Sequence, residues 1–367
     1  MVAATDGIVC LHATDPATIY LSARARVDDL TVADVDKALY ADRTLVKHLC
    51  MRRTLFVCRS ELFGVIQAAA SGRVAEQERR RLAKAVETAG LVGDGAAWLR
   101  DASEATLATL DQMGEATSTE LRAAVELLQG STVYAPEESY GGDVPVGPRV
   151  LTCLSAAGQI VRASNRGGWN VSRPTWARTS YWLGEQPTVP PERDARARLV
   201  SRWLRAFGPA TAGDLKWWLG STVTAVRTAL GDVGAVEVDL DGEPGFVLAD
   251  DLDRVPEPEP CAALLPGLDP TTMGWYQRDW YLGPHRTAIF DSNGNAGMTA
   301  WWDGHIVGGW NQAPDGEVFL QLLEDVGADG RAALDREASR LTAWLDGVRV
   351  APRFPSPLSR SAQRLDG

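Results

Sequence analysis

Residues 196–250 constrain the fold more than any other part of the chain. "RARLVSRWLRAFG" has the apolar spacing of a helix and stops at Gly208-Pro209. "TAGDLKWWLG" follows with Thr211 placed to cap a second helix, and "STVTAVRTALGD" makes a third. Next, "AVEVDLDGEPGFVLAD" alternates apolar and polar residues around Asp241-Gly242 and Pro244-Gly245, the pattern of a two-stranded hairpin. Three short helices closed by a hairpin make a winged helix-turn-helix, with "STVTAVRTALGD" in the place of the recognition helix.

Two earlier stretches repeat the outline. In "TVADVDKALYA", Thr31 can cap a helix whose Val32, Val35, Ala38 and Leu39 share a face; "RTLVKHLCM" reads as a second helical run, and "RRTLFVCRS" as a strand. "TSTELRAAVELL" and "PRVLTCLSAAGQIVRAS" resemble the second and third helices of a looser unit, with "NRGGWNVSRPTWARTSYWLG" as its wing and the Asp/Gly/Pro-rich "APEESYGGDVPVGP" as a spacer. The acidic, proline-rich "DDLDRVPEPEP" is a linker by composition. Beyond it, "RTAIFDSNGNAGMTAWWDGHIVGGWNQ" predicts short strands split by Asn-Gly and Asp-Gly turns, and "GADGRAALDREASRLTAWLDG" a closing helix. The expected fold class is α+β: three tandem winged units over residues 1–95, 96–190 and 191–255, then a β-rich module over 256–367.

Composition narrows the function. A net charge of -11 opposes indiscriminate binding to polyanions, so any nucleic-acid surface has to be local. No apolar stretch approaches the roughly 20 residues that span a bilayer, and "MVAATDGIVC" lacks a basic signal-peptide start, so a cytoplasmic protein is expected. The five cysteines are scattered without a CxxC pair and read as reduced core residues. P-loop, HExxH, GxSxG and GxGxxG motifs are all missing, and no histidine has metal-ligand spacing; neither cofactor nor metal is expected. His48 reads as a structural residue on a helix.

Six cations stand where winged helices approach phosphates: Arg52 and Arg53 before a strand, Arg173 and Arg178 in the second wing, Lys216 and Arg227 in the third unit. Solvated surface charge explains the same residues. The doublets Trp217-Trp218 and Trp301-Trp302 diverge by about 100° on a helix or about 180° on a strand, which leaves one member of each able to stack outside the core. "LLPGLDPTT" faintly echoes the hairpin loop of helix-hairpin-helix glycosylases but lacks the second glycine that brings backbone to a phosphate, and that reading is rejected.

The order of "LHATDP", "LVKHLCMRRTLFV", the tandem winged units, "LLPGLDPTTMGWYQRDWYLG" and "WWDGHIVGGW" resembles the AlkZ-like winged-helix DNA glycosylases and their actinobacterial relatives, over nearly the entire chain. In that family the loop usually reads Gln-Ala-Gln-Asp or Gln-x-Asp, and the following unit carries Met-Arg-Gly-Thr-Leu. Met51-Arg52-Arg53-Thr54-Leu55 keeps the second motif apart from Arg53, whereas His12 and Thr14 stand where the two glutamines would be. The resemblance implies three winged helices around a DNA-sized cleft, a small β-barrel-like module, and hydrolysis of the N-glycosidic bond of purines alkylated at N7 or N3, bulky and crosslinking adducts included. Such enzymes usually carry further helical residues ahead of the loop; a trimmed first unit would expose Ile8 and Leu11.

Within the loop, His12 can accept a proton from an attacking water and Thr14 can orient it. Asp15 can stabilise positive charge on the sugar, or cap the helix that Pro16 begins. The leading expectation is a monofunctional, monomeric glycosylase acting on double-stranded DNA in repair or self-resistance; no lysine near the loop suggests strand cleavage. The alternative is a non-catalytic winged-helix DNA-binding or regulatory protein. A weaker one is a protein that sequesters a reactive small molecule.

Overall fold

The computed structural model describes residues 1–134 and 142–365. Beyond its first two residues the chain divides into two compact units, one formed by residues 36–200 and the other by 3–35 together with 201–367.

The 36–200 unit is built on antiparallel strands. Leu45–Cys50 pairs with Thr54–Arg59, Leu45 opposite Arg59 and Cys50 opposite Thr54. Ile160–Asn165, Pro174–Arg178 and Glu115–Thr117 extend the sheet beyond Leu45–Cys50 in that order. Helices Gly72–Thr88, Gly95–Met113 and Val146–Ala156 supply most of the core, with Leu82, Val86, Leu99, Leu110, Val150 and Leu154 packed together. "RTLVKHLC" is therefore a strand and not the helix its composition suggested. Nearly every side chain of Leu45–Cys50 is buried, so no amphipathic period exists to distinguish helix from strand, and pairing with Thr54–Arg59 decides. Arg52 and Arg53 occupy the tight turn between these strands, at φ 54° and 61°.

In chain order the first helix pair lies one element earlier than the sequence suggested: Pro16–Arg24, then the helical run 32–41, then the hairpin. The same succession returns at 95–178. There helix Gly95–Met113 leads to strand Glu115–Thr117, helix Ser118–Ala124 in a Thr117/Glu120 capping box, helix Val146–Ala156 and a hairpin. Residues 135–141 of the expected spacer lie outside the described residues, and strands Ser131–Tyr134 and Gly142–Pro145 flank them as a pair.

The helices and the hairpin expected after residue 208 are present in the other unit. A Thr211/Asp214 capping box starts helix Ala212–Leu219, Thr222 caps Val223–Asp232, and Val236–Leu240 pairs with Glu243–Val247. Asp241 and Gly242, at φ 51° and 90°, make the turn, and short strand Ala210–Thr211 adds to the second hairpin strand. Strands Ala262–Leu265, Thr299–Trp302, His305–Gln312 and Val318–Leu322 form a meander in sequence order, so the C-terminal module is an open sheet and not a closed barrel. Helix Gly327–Leu345 packs on it, and a further helix, Pro357–Leu365, follows the one expected to close the chain.

Four of the cysteines are buried and reduced; Cys261 is exposed, against expectation. Trp218 and Trp301 are buried, and Trp217 and Trp302 are half-buried, so neither doublet presents a fully open ring. Leu11 is buried too, with Ile8 half-buried behind helix Val2–Gly7. No helix among the described residues is long and apolar enough to cross a membrane.

Candidate active site

The "LHATDP" loop runs directly into helix Pro16–Arg24. Asp15 is the N-cap: its Oδ1 accepts the Ala17 N–H at 3.1 Å, and Pro16 takes the first helical position, where a missing N–H costs nothing. Its Oδ2 accepts the Arg353 N–H at 3.0 Å, which ties the loop to the segment before the last helix. Burial pushes the Asp15 carboxyl above its ordinary value, against the lowering pull of those two N–H donors.

Upstream, the Thr14 N–H donates to His12 Nδ1 at 3.4 Å. A neutral imidazole that accepts at Nδ1 carries its proton on Nε2. In this tautomer the ring N–H of His12 is at Nε2. His12 and Asp15 are buried and Thr14 half-buried.

What positions this loop is a stripe of buried polar groups on the helix it starts. Thr18 and Ser22, four residues apart, share one face of the helix, and Arg26 follows in the turn just beyond its end. Thr18 Oγ1 donates to the Gly267 carbonyl at 2.7 Å and Ser22 Oγ to Asp269 Oδ2 at 2.6 Å. Arg26 forms a fork on Asp269, with Nη1 to Oδ2 at 2.9 Å and Nη2 to Oδ1 at 2.7 Å, and Nη2 also reaches Thr271 Oγ1. Asp269 is fully buried and accepts its own loop's Thr271 N–H at 2.8 Å. "PGLDPTT" thus serves as a buttress for the loop's helix, with a carbonyl and a carboxylate facing inward where a phosphate-binding hairpin would present N–H groups. Sequence reading missed Ser22, Arg26, Asp269 and Arg353. The available signal was the polar stripe itself, because Ser22 and Thr18 sit among apolar residues of a helix that is buried all round.

The six candidate DNA cations divide between the units. Arg53 pairs with Glu78 at 3.0 Å; Arg178, at the end of its strand, pairs with Asp111 at 3.4 Å. Arg173 lies just before strand Pro174–Arg178, in a connection tied by Asn165: the Asn165 Nδ2 donates to the Val171 carbonyl at 2.9 Å, and its Oδ1 accepts the Arg173 N–H at 2.8 Å. In the unit that holds the loop, Lys216 is exposed on helix Ala212–Leu219 and Arg227 on helix Val223–Asp232.

His48 lies on a strand, fully buried and stacked on Phe63 at 4.1 Å, with its Nε2 3.0 Å from the Ser71 hydroxyl; burial holds its pKa down at about 3. His285 meets Glu324 at 2.8 Å. Among the described residues no group of three His, Cys, Asp or Glu side chains is placed to hold a metal.

The sequence matches the family described as "DNA glycosylase AlkZ-like" over residues 5–344. The "Interstrand DNA cross-link repair glycosylase" of Streptomyces sahachiroi is 29% identical over 213 residues, which is 55% of this chain; the chain spans about half (56%) of that relative's length. The solved structure of the Streptomyces sahachiroi DNA glycosylase AlkZ superposes with a TM-score of 0.72 at 22% identity, covering 95% of this chain and 91% of that one. A family pattern that takes in both the loop and its buttress, on a fold shared over nearly the whole length, places this chain in the AlkZ-like DNA glycosylase family.

Proposed function

We propose that the protein is a monofunctional DNA glycosylase that hydrolyses the N-glycosidic bond of purines alkylated at N7 or N3 in duplex DNA, bulky and crosslinking adducts included. It would act as a cytoplasmic monomer, without metal or cofactor, in repair or self-resistance. The observation that carries this reading is the polar loop His12–Asp15, held at a helix start by a buried hydrogen-bonded buttress, in a chain of this family. The name of the Streptomyces sahachiroi relative supports crosslinked DNA as the substrate class. The repeated succession of helix, short strand, capped helix, helix and hairpin supports three winged units over 1–95, 96–190 and 191–255, ahead of the 256–367 module.

The chemistry asks little of the protein, since a purine alkylated at N7 is cationic and already a good leaving group. The site has to place a water and accommodate an oxocarbenium-like sugar. His12 Nε2–H donates to that water and the Thr14 hydroxyl accepts from it or donates to it, as the two glutamines of the family loop do. In its ionised form Asp15 supplies the negative charge that favours the cationic sugar, and the site's base for the water's proton, and the burial that raises its pKa strengthens it as that base.

The test is base release from a duplex carrying a single N7-alkylguanine, scored by alkaline cleavage at the abasic site. Wild type excises; His12→Ala lowers the rate about 10²-fold, as loss of one positioned donor does, and Thr14→Ala lowers it less. A second reading, a non-catalytic DNA-binding protein, draws on the engagement of both Asp15 oxygens as helix cap and Arg353 tether. It is the conclusion if wild type binds such duplexes and leaves small and bulky adducts alike intact.

A further inference from the structure

A cleft of about 900 Å³ opens beside the hairpin Val236–Leu240/Glu243–Val247, in the unit that also holds the loop. One wall is the segment Trp275–Trp280, and the other is the hairpin's turn. The aromatic wall is rigidly set. Asp214 Oδ1 accepts the Tyr276 and Gln277 N–H groups, each at 2.9 Å, and Trp275 Nε1 donates to the Phe207 carbonyl at 2.9 Å. Gln277 Nε2 reaches across to Glu243 at 2.8 Å and joins the two walls. Trp275 and Trp280 meet edge to face, with centroids 5.1 Å apart and planes at 87°, so their faces form a corner.

The two outermost rings stay open to solvent: Trp280 is 60% exposed and Tyr276 58%. Large aromatic surface is costly to leave wet, and a rigid corner of it is a recognition feature. The electrostatics choose the occupant. Asp239, Asp241, Glu243 and Asp279 are exposed on the lining, against one exposed guanidinium, Arg286. The second arginine, Arg278, is buried, with its guanidinium over Trp217 at 4.8 Å and Phe290 at 4.6 Å, and does not offset them at the mouth. A wing that approached DNA would carry cations, whereas this one carries Asp239, Asp241 and Glu243 around its turn, and phosphates are repelled.

We propose that this cleft is a docking site for a basic segment of a partner protein, whose arginine or lysine side chains lie against the Trp275/Trp280 corner while the acidic hairpin neutralises their charge. Perpendicular indole faces flanked by carboxylates match a guanidinium or ammonium group. The exposure of Trp280 and Tyr276 suits an extended chain laid across the opening, since an enclosed small cation would need walls on all sides. The proposal is independent of the excision chemistry.

The test is fluorescence anisotropy of a labelled peptide alternating Arg and Gly, beside one alternating Glu and Gly, titrated with the full chain at low and moderate salt. The Arg peptide binds and weakens with salt; the Glu peptide does not bind. Trp280→Ala weakens binding about fivefold through loss of cation–π contact. Asp241→Asn, in a turn whose φ of 51° asparagine tolerates, weakens it and flattens its salt dependence without disturbing the hairpin. Equal binding of both peptides, or indifference to Trp280→Ala and Asp241→Asn, would overturn the proposal. Displacement by spermine at concentrations matching the peptide's own would overturn the peptide as occupant and assign the cleft to a small polyamine.

Discussion

Replacing Asp269 by Ala tests whether the buttress is what holds the loop's helix. The carboxylate is fully buried and accepts four hydrogen bonds: two from Arg26, one from Ser22 and one from the Thr271 N–H. Removing it leaves a mostly buried guanidinium without its counter-charge, a loss of roughly 3–5 kcal/mol for a buried pair. The Arg26 side chain keeps 17% exposure and its bonds to the Ser22 carbonyl and Thr271 hydroxyl, which places the cost at the lower end, about 3 kcal/mol. For a unit of this size that lowers Tm by about 6–12 °C. Excision should fall with it at temperatures where the fold is intact, because Thr18 and Ser22 lie within two turns of Asp15 and follow the displaced "PGLDPTT" segment. The assay is a thermal melt of wild type, Asp269→Ala, Arg26→Met and the double variant, with base release measured on each. The coupling between the two positions should be about 2 kcal/mol, since the second substitution removes the charge orphaned by the first. Additivity within about 0.5 kcal/mol, or excision unchanged in Asp269→Ala, would refute the reasoning.

Two further outcomes follow from the structure. His48, held at about 3 against an ordinary 6.5, stays neutral in the fold but takes a proton once unfolded. Its contribution is complete above pH 6.5 and drains away as pH falls from 6.5 towards 3, about 1.4 kcal/mol per pH unit. Urea melts at pH 6.5 and 4.5 should therefore show a loss of about 2–3 kcal/mol in wild type beyond that in His48→Leu; parallel losses would exclude His48 as the source. Arg227→Ala should reduce the slope of log K against log salt for duplex DNA by about one, and equally for every sequence tested, if its guanidinium meets a phosphate; an unchanged slope would remove Arg227 from the interface.

What was legible in the sequence was local. Asp241-Gly242 fixes its turn through backbone preference alone, and Thr211 caps its helix through a residue three positions on. Asp15-Pro16 as cap and first helical residue was readable for the same reason. The errors came where distant pairing overrides local pattern. "LVKHLC" is buried on both sides and becomes a strand through its register with Thr54–Arg59, and the module that the resemblance implied to be β-barrel-like has an open four-stranded meander. The site suffered most, because its supports are remote in sequence: Ser22 finds Asp269 across 247 positions, and Asp15 finds the Arg353 N–H across 338. A main-chain donor leaves no trace in residue identity, so that tether had no signal to read.

The acidic balance of the chain bears directly on how it can hold DNA. Among the described residues the side chains of Arg173, Lys216 and Arg227 make no ion pair, so a phosphate gains their charge without displacing a carboxylate. Arg53 and Arg178 are different, because each already faces an acid, Glu78 and Asp111. Exchange is cheap at Arg53. Glu78 also holds Arg81 at 3.0 Å, so releasing Arg53 to a phosphate leaves the carboxylate paired. Both members of the Arg178–Asp111 pair are solvated, so this bridge is worth less than about 1 kcal/mol and a phosphate can compete for it. The carboxylates beside these arginines thus tune the cations without removing them. The acids of the Asp239–Glu243 hairpin, by contrast, make no ion pair among the described residues and would repel a phosphate. A net charge of -11 therefore leaves any phosphate contact to local cations such as Lys216 and Arg227, which carry no acid partner among the described residues.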